Sequence, residues 1–196
     1  MAKYTFKYGN GTVDFEYPEE DVIKVLEPAE LEKSTKTEEE IIREAIENPI
    51  GTPKLEEIIK PGQSVCIVVP DVTRLWARPS VIVHILVEKL EKIGVKDEDI
   101  LFISGVGTHR LQEEEDFENL IGKDFCARFK HQNHYCDSDD FVTVGTTSRG
   151  NVVEINKFAM ECDHRILVGG IVFHFLAGFG GGRKMVLPGI SSRNTI

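Results

Sequence analysis

The sequence predicts an α/β domain built on a mostly parallel sheet in three layers, with a β-hairpin and a helix as an N-terminal extension. Three observations lead there. Val65-Cys66-Ile67-Val68-Val69 is an apolar run of strand length, the pattern of a strand buried on both faces. A second such run, residues 100–103, follows it across a stretch long enough for an amphipathic helix. Strand and helix signals then continue towards the C-terminus in the order that packs helices on a parallel sheet.

Taken in order, Tyr4-Thr5-Phe6-Lys7 and Val13-Asp14-Phe15-Glu16-Tyr17 alternate apolar and polar residues around Gly9-Asn10-Gly11. Asn-Gly favours the positive φ angles of a tight turn, so a hairpin is expected, with the turn at Asn10-Gly11. Thr37 and Glu40 have the spacing of a capping box; Ile41, Ile42, Ala45 and Ile46 then make a helical stripe that Asn48-Pro49 ends. After the first buried strand a helix is expected from Pro79, a good first-turn residue, through Val81, Ile82, Ile85, Leu86 and Leu90 to a stop at Gly94. Further expectations are a helix over 112–121 and strands over 141–144, 152–155 and 166–168, while residues 125–138 carry no readable period. This strand-helix-strand-helix order, with later strands, is that of a Rossmann-like three-layer domain over residues 61–196, with residues 1–60 as the extension.

Composition narrows the partners. Of the 196 residues, 33 are acidic and 23 basic, a formal charge of -10, which repels phosphate backbones and anionic lipid; no nucleic acid and no membrane surface is expected as a partner. No apolar stretch approaches the ~18 residues of a membrane span, and the first ten residues hold no signal-peptide core. A cytoplasmic protein is expected. The four cysteines form no C-x-x-C pair and read as free thiols, with Cys66 a small core residue.

Ligands of open parallel sheets bind beyond the carboxyl ends of the strands, where loops converge. Four segments take that position here: Pro70-Asp71-Val72-Thr73-Arg74, Ser104 to Arg110, Gly169 to His174, and Gly178-Phe179-Gly180-Gly181-Gly182-Arg183-Lys184. Arg74 has the fork geometry to clamp a carboxylate, with Asp71 and Thr73 beside it to orient it; the alternative is a capped turn bearing a surface charge. His109 and His174 titrate in the range suited to taking and returning a proton near neutral pH. His84 reads as helix packing and His164 as a surface residue. The glycine run lacks the Ser or Thr that a phosphate loop places after its lysine. It reads instead as backbone that a flat ligand can approach at Gly180, Gly181 and Gly182, ending in Lys184, whose amine the neighbouring Arg183 cation would sharpen as a nucleophile; a flexible loop with two solvated cations is the alternative. His131, His134 and Cys136 have ligand chemistry but supply three donors on a segment with no assigned structure, and no metal ligand is assigned among them.

Asp71-Val72-Thr73-Arg74, Gly107-Thr108-His109-Arg110, the run from Phe173-His174 to Arg183-Lys184, and Leu187-Pro188-Gly189-Ile190 together resemble the N-terminal domain of the nickel-pincer lactate racemases, from about Val65 onward. The resemblance implies a 2-hydroxy acid racemase or epimerase in which Lys184 is joined to a nickel-holding pyridinium mononucleotide, with Asp71, Thr73 and Gly180 to Gly182 around the cofactor. It further implies His109 and His174 as the acid/base pair, Arg74 on the substrate, cofactor-synthesis enzymes as partners, a histidine nickel ligand beyond Ile196, a second α/β domain, and an isolated N-terminal part that is inactive. One departure concerns the pocket wall: Leu75-Trp76 follows Arg74 where the lactate enzymes usually have proline, so the resemblance leaves open which 2-hydroxy acid is the substrate. Two other readings use the same residues, a nucleotide-dependent oxidoreductase or kinase working through the glycine loop and a non-enzymatic ligand-binding domain.

Overall fold

A computed structural model describes residues 1–27 and 34–196. By packing, the described chain divides into two units, Met1–Thr35 and Lys36–Ile196.

The first unit is a hairpin of β1 (Ala2–Tyr8) and β2 (Gly11–Tyr17) in continuous antiparallel register from Ala2 with Tyr17 to Tyr8 with Gly11. Its turn is Gly9-Asn10, and the positive φ belongs to Gly9 (58°), one residue earlier than the sequence suggests. Gly at the first central position of a two-residue turn gives the strand twist just as Asn-Gly does, which is why both readings yield a hairpin.

The second unit opens with α1 (Glu38–Glu47), whose capping box at Thr37 and Glu40 forms as expected. Grouped on sequence with the hairpin, α1 packs instead in the larger unit: Arg43 pairs with Glu88 at 2.5 Å and Glu47 with Lys89 at 2.7 Å, both on the helix that follows the first buried strand. A single turn, α2 (Leu55–Ile58), leads to β3 (Val65–Val69), in which every residue is buried. Then come α3 (Pro79–Ile93), ended by Gly94 at φ 98°, and β4 (Ile100–Ser104). The helix expected over 112–121 begins two residues late, as α4 (Glu114–Ile121), because the Gln112 N–H is taken by Asn133 Oδ1 at 2.7 Å and Glu113 caps the helix with Asp116. The unassigned segment holds α5 (Lys123–Arg128) and β5 (Lys130–Asn133).

Next, β6 (Phe141–Thr146) and β7 (Val152–Asn156) pair antiparallel with each other, outside the parallel sheet. They are followed by α6 (Lys157–Glu161), β8 (His164–Leu167), and the two-residue strands β9 (Phe173–His174) and β10 (Gly178–Phe179).

The main sheet has the order β5-β4-β3-β8, all parallel. The chain steps outward from β3 to β4 to β5, then returns to the other side of β3. Alternate residues of β3 serve two cores. Val65, Ile67 and Val69 face α3, α4 and α5 with Leu90, Phe102 and Leu120; Cys66 and Val68 face a mixed layer of β7, α6 and the C-terminal segment through Ile155, Ala159, Met185 and Ile190. Among the described residues no helix is long and apolar enough to cross a membrane.

Phe102 is fully buried and its ring meets Phe125 at 6.0 Å and Phe129 at 5.6 Å. Phe102→Ala should cost about 3–5 kcal/mol of stability, the range for emptying a buried aromatic site. A denaturant titration checks this: a midpoint shift equivalent to under about 1 kcal/mol would show that the ring is not a core element.

Candidate active site

The return of the chain across β3 lets the loops after β3, β4 and β8 converge at the carboxyl edge of the sheet, where they and the glycine run enclose a cleft. Its walls include Asp71 and Arg74 after β3, Gly105 to His109 after β4, Gly169 and Gly170 after β8, and Gly180, Gly181 and Lys184.

Asp71 organises one wall. Its side chain is only 9% exposed, yet it holds three donors: Thr73 N at 2.8 Å, the Thr73 hydroxyl, and His109 Nδ1 at 2.9 Å. Burial works to raise its pKa, but the bonds from Thr73 and His109 together outweigh it and hold the carboxyl below its ordinary value. A carboxylate only accepts, so Nδ1 of His109 carries a proton and Nε2 of the neutral ring keeps its lone pair. The ring itself is about half exposed. The Thr73 hydroxyl accepts from Arg74 at 2.6 Å, so one chain of bonds runs from guanidinium to imidazole.

Lys184 stands on the turn Gly182–Met185, across the same cleft. Burial first, and then the charge of Arg74, lower its pKa. The cation acting on the amine is thus Arg74 from another loop and not Arg183, its sequence neighbour. Glycine is required here by space: a Cβ on Gly181 would lie 2.8 Å from the Gly170 carbonyl oxygen, and one on Gly170 would lie 2.4 Å from the Trp76 ring. Gly182, grouped with its neighbours on sequence, does not line the cleft and begins a four-residue 3-10 turn. So short a turn lacks the row of free helix N–H groups with which a phosphate loop binds nucleotides.

His174 is placed differently. It lies on the hairpin of β9 and β10, outside the cleft lining, although the hairpin springs from Gly170 on one side and returns at Gly180 on the other. Its Nδ1 accepts from the N–H of Leu176 at 3.2 Å and of Ala177 at 3.1 Å, so the proton of the neutral ring is on Nε2. Phe175 stacks on it and is itself 92% exposed.

Sequence reasoning missed the floor of the cleft, Met185, Pro188 and Gly189. Gly189 accepts from Gly107 N at 3.0 Å and could not carry a side chain, since its Cβ would fall 2.1 Å from the Met185 carbonyl oxygen. Leu187-Pro188-Gly189 was a visible turn signal, but only the fold brings it under the loop after β4. The possible ligand group His131, His134 and Cys136 is dispersed. His134 is fully buried, bonding the Ser191 carbonyl at 2.9 Å and Asn156 at 3.3 Å, and burial lowers its pKa; Cys136 packs beside Asp137 and Arg193. His84 both stacks on Phe125 and reaches Asp124 at 3.1 Å, and His164 bonds Gln63 at 2.9 Å.

The lactate racemase N-terminal domain family matches residues 8–196. The chain belongs to this family. It is 32% identical over 195 residues to a lactate racemase of Thermoanaerobacterium thermosaccharolyticum, covering 98% of this chain and 45% of that protein, and 33% identical over 199 residues to a lactate racemase of Lactiplantibacillus plantarum, covering 100% and 46%. The chain therefore spans about half the length of these relatives. The fold superposes with a TM-score of 0.84 on a lactate racemase apoprotein from T. thermosaccharolyticum, at 32% identity over 97% of this chain and 44% of that one. A protein from Thermotoga maritima gives 0.62 at 28% identity, over 79% and 38%.

The pairing of Asp71 with His109 has a consequence for stability. A carboxyl whose folded pKa lies below its unfolded value of ~3.9 contributes stability above that pH and loses it as the pH falls through the folded pKa. Asp71→Asn should therefore be less stable than wild type at pH 7, with the difference shrinking below about pH 4. Thermal melts of both proteins across pH 3 to 7 check this; a gap that widens in acid would mean that Asp71 is not held as the carboxylate.

Proposed function

We propose that this chain is the N-terminal catalytic part of a racemase or epimerase of 2-hydroxy acids, with residues 61–196 as a Rossmann-like catalytic domain. The observation that carries the reading is a cleft in which a carboxylate-oriented imidazole, a guanidinium and a desolvated primary amine face one another between glycine walls.

Arg74 binds the substrate carboxylate through guanidinium nitrogens not used on Thr73. That places the 2-hydroxyl towards His109, whose Nε2 takes the hydroxyl proton while Asp71 steadies the imidazolium. The proton is returned from the same atom in the reverse direction. His174 is the second acid/base residue. Its resting tautomer presents Nε2–H, a donor, where His109 presents a lone pair, so the two rings begin in complementary states.

The residues fit a covalently held cofactor. Lys184 is an amine with a depressed pKa, hence a larger neutral fraction for bond formation, and Gly181 and Gly170 keep the adjoining wall free of side chains. A nickel-pincer pyridinium mononucleotide joined to Lys184 would supply an acceptor and donor for the Cα hydride of the substrate. Asp71, Thr73 and the glycines at 180–182 are proposed to surround it, and enzymes of cofactor synthesis to be partners.

Two measurements test this reading in the complete protein, coexpressed with the cofactor-synthesis enzymes. Intact mass should show a covalent adduct that Lys184→Ala abolishes; an adduct that persists in the variant overturns the assignment. His109→Ala should lower kcat on 2-hydroxy acids by on the order of 100- to 10,000-fold, the usual worth of a positioned acid or base, with Asp71→Asn also impaired because it no longer enforces the Nδ1–H tautomer. Full turnover in His109→Ala would remove it from the mechanism.

A further inference from the structure

The ligand chemistry that the sequence scatters over residues 126–136 is regrouped by the fold. Glu114 opens α4, Cys126 lies on α5 and His131 on the edge strand β5, and one ligand atom from each lies within 4.8 Å of the other two. None of the three lines the cleft.

The imidazole is prepared as a ligand. His131 Nδ1 lies 3.2 Å from the Phe129 carbonyl oxygen, which can only accept, so Nδ1 donates there and Nε2 is the nitrogen left for a ligand role. A backbone carbonyl on the far nitrogen is the usual support of a metal-binding histidine. Phe117, with ring centroids 4.8 Å apart, fixes the plane of the ring. Nε2 faces Glu114 Oε2 at 3.3 Å, also an acceptor, so this contact is met either by a second ring proton or by a cation that takes that proton's place on the Nε2 lone pair. The separation suits a cation: donors ~2.0–2.1 Å from a tetrahedral centre are about 3.3 Å apart. A sulfur ~2.3 Å from the same centre stands roughly 3.5 Å from each of the other two donors, and since all three atoms already lie within 4.8 Å of one another, closing the two sulfur edges takes at most on the order of one ångström.

The surroundings favour a cation as well. Burial, and then the carboxylates of Glu114, Glu118 and Asp124, push the Cys126 thiol up to about 11. The same carboxylates that oppose a bare thiolate attract a metal ion, and the thiol proton leaves to solvent as the sulfur–metal bond forms. Mixed sulfur, nitrogen and oxygen donors select an ion of the zinc class over magnesium or calcium, and three protein ligands leave a fourth position for water.

We propose that Glu114, Cys126 and His131 form a binding site for a thiophilic divalent cation of the zinc class, separate from the cleft and independent of the proposed catalytic reading. The test uses the complete protein, purified without a histidine tag and stripped by a chelator, with Co2+ as the probe. The expected result is a sulfur-to-cobalt charge-transfer absorption that saturates at one equivalent and is displaced by Zn2+. It should vanish in Cys126→Ser and persist in Cys136→Ser. Glu114→Gln alters an exposed side chain and should leave the fold intact while weakening Zn2+ binding on the order of tenfold or more. No thiolate band in the wild type, a band that survives Cys126→Ser, or wild-type affinity in Glu114→Gln would each overturn the proposal.

Discussion

Strand β3 is buried along its whole length, and both layers of the larger unit hang on that fact. Five consecutive apolar side chains leave no face for water, so the sheet must be covered twice, by α3, α4 and α5 on one side and by β7, α6 and the C-terminal segment on the other. Burying a valine or isoleucine contributes roughly 1.5–3 kcal/mol, so the strand is held in register from both sides. Its parallel neighbours β4 and β8 lie on opposite edges, and their following loops are therefore delivered to the same end. The cleft is a consequence of this burial.

Asp71 transmits that rigidity to the chemistry. It stands two residues past the end of β3, and burial makes its unpaired charge costly, so the local chain is drawn into satisfying it with Thr73 N, the Thr73 hydroxyl and His109 Nδ1. A single carboxylate thereby fixes the turn after β3, joins it to the loop after β4, and settles which nitrogen of His109 bears a proton. Replacing fold-level constraint by loop flexibility at this point would lose both the geometry and the protonation state.

The legible part of the sequence was the part governed by local rules. The Thr37 capping box, the Pro79 start and Gly94 stop of α3, and the unbroken apolarity of β3 each need only a few adjacent residues to read. What escaped was set by distant partners. Lys130-His131-Gln132-Asn133 has no apolar period, because an edge strand is specified by the backbone of β4 alongside it. The late start of α4 depends on Asn133, twenty-one residues away, and the cation beside Lys184 proved to be Arg74 from the opposite loop. In the same way His109 and Asp71 were each readable as candidates, while the bond between them was not.

The two candidate imidazoles differ in how firmly they are held, and the difference has a chemical meaning. His109 is locked by a buried carboxylate that belongs to the sheet. Among the described residues His174 bonds only the N–H groups of its own short hairpin, whose other large side chains, Phe173, Phe175, Leu176 and Phe179, are exposed. On the proposed reading two acid/base residues serve a hydroxyl presented on opposite sides of the substrate, which a single rigid wall cannot supply. A fixed ring and a ring on a separate arm satisfy that geometry. The arm is anchored at Gly170 and Gly180, both in the cleft wall, so any movement of the hairpin pivots at the edge of the cleft. For His174 to act as a base through Nε2, Nδ1 must be protonated, and the two backbone N–H donors that now point at it must turn away. Change of role at His174 is therefore coupled to a change of hairpin conformation, a requirement that the Asp71-bound ring of His109 does not share.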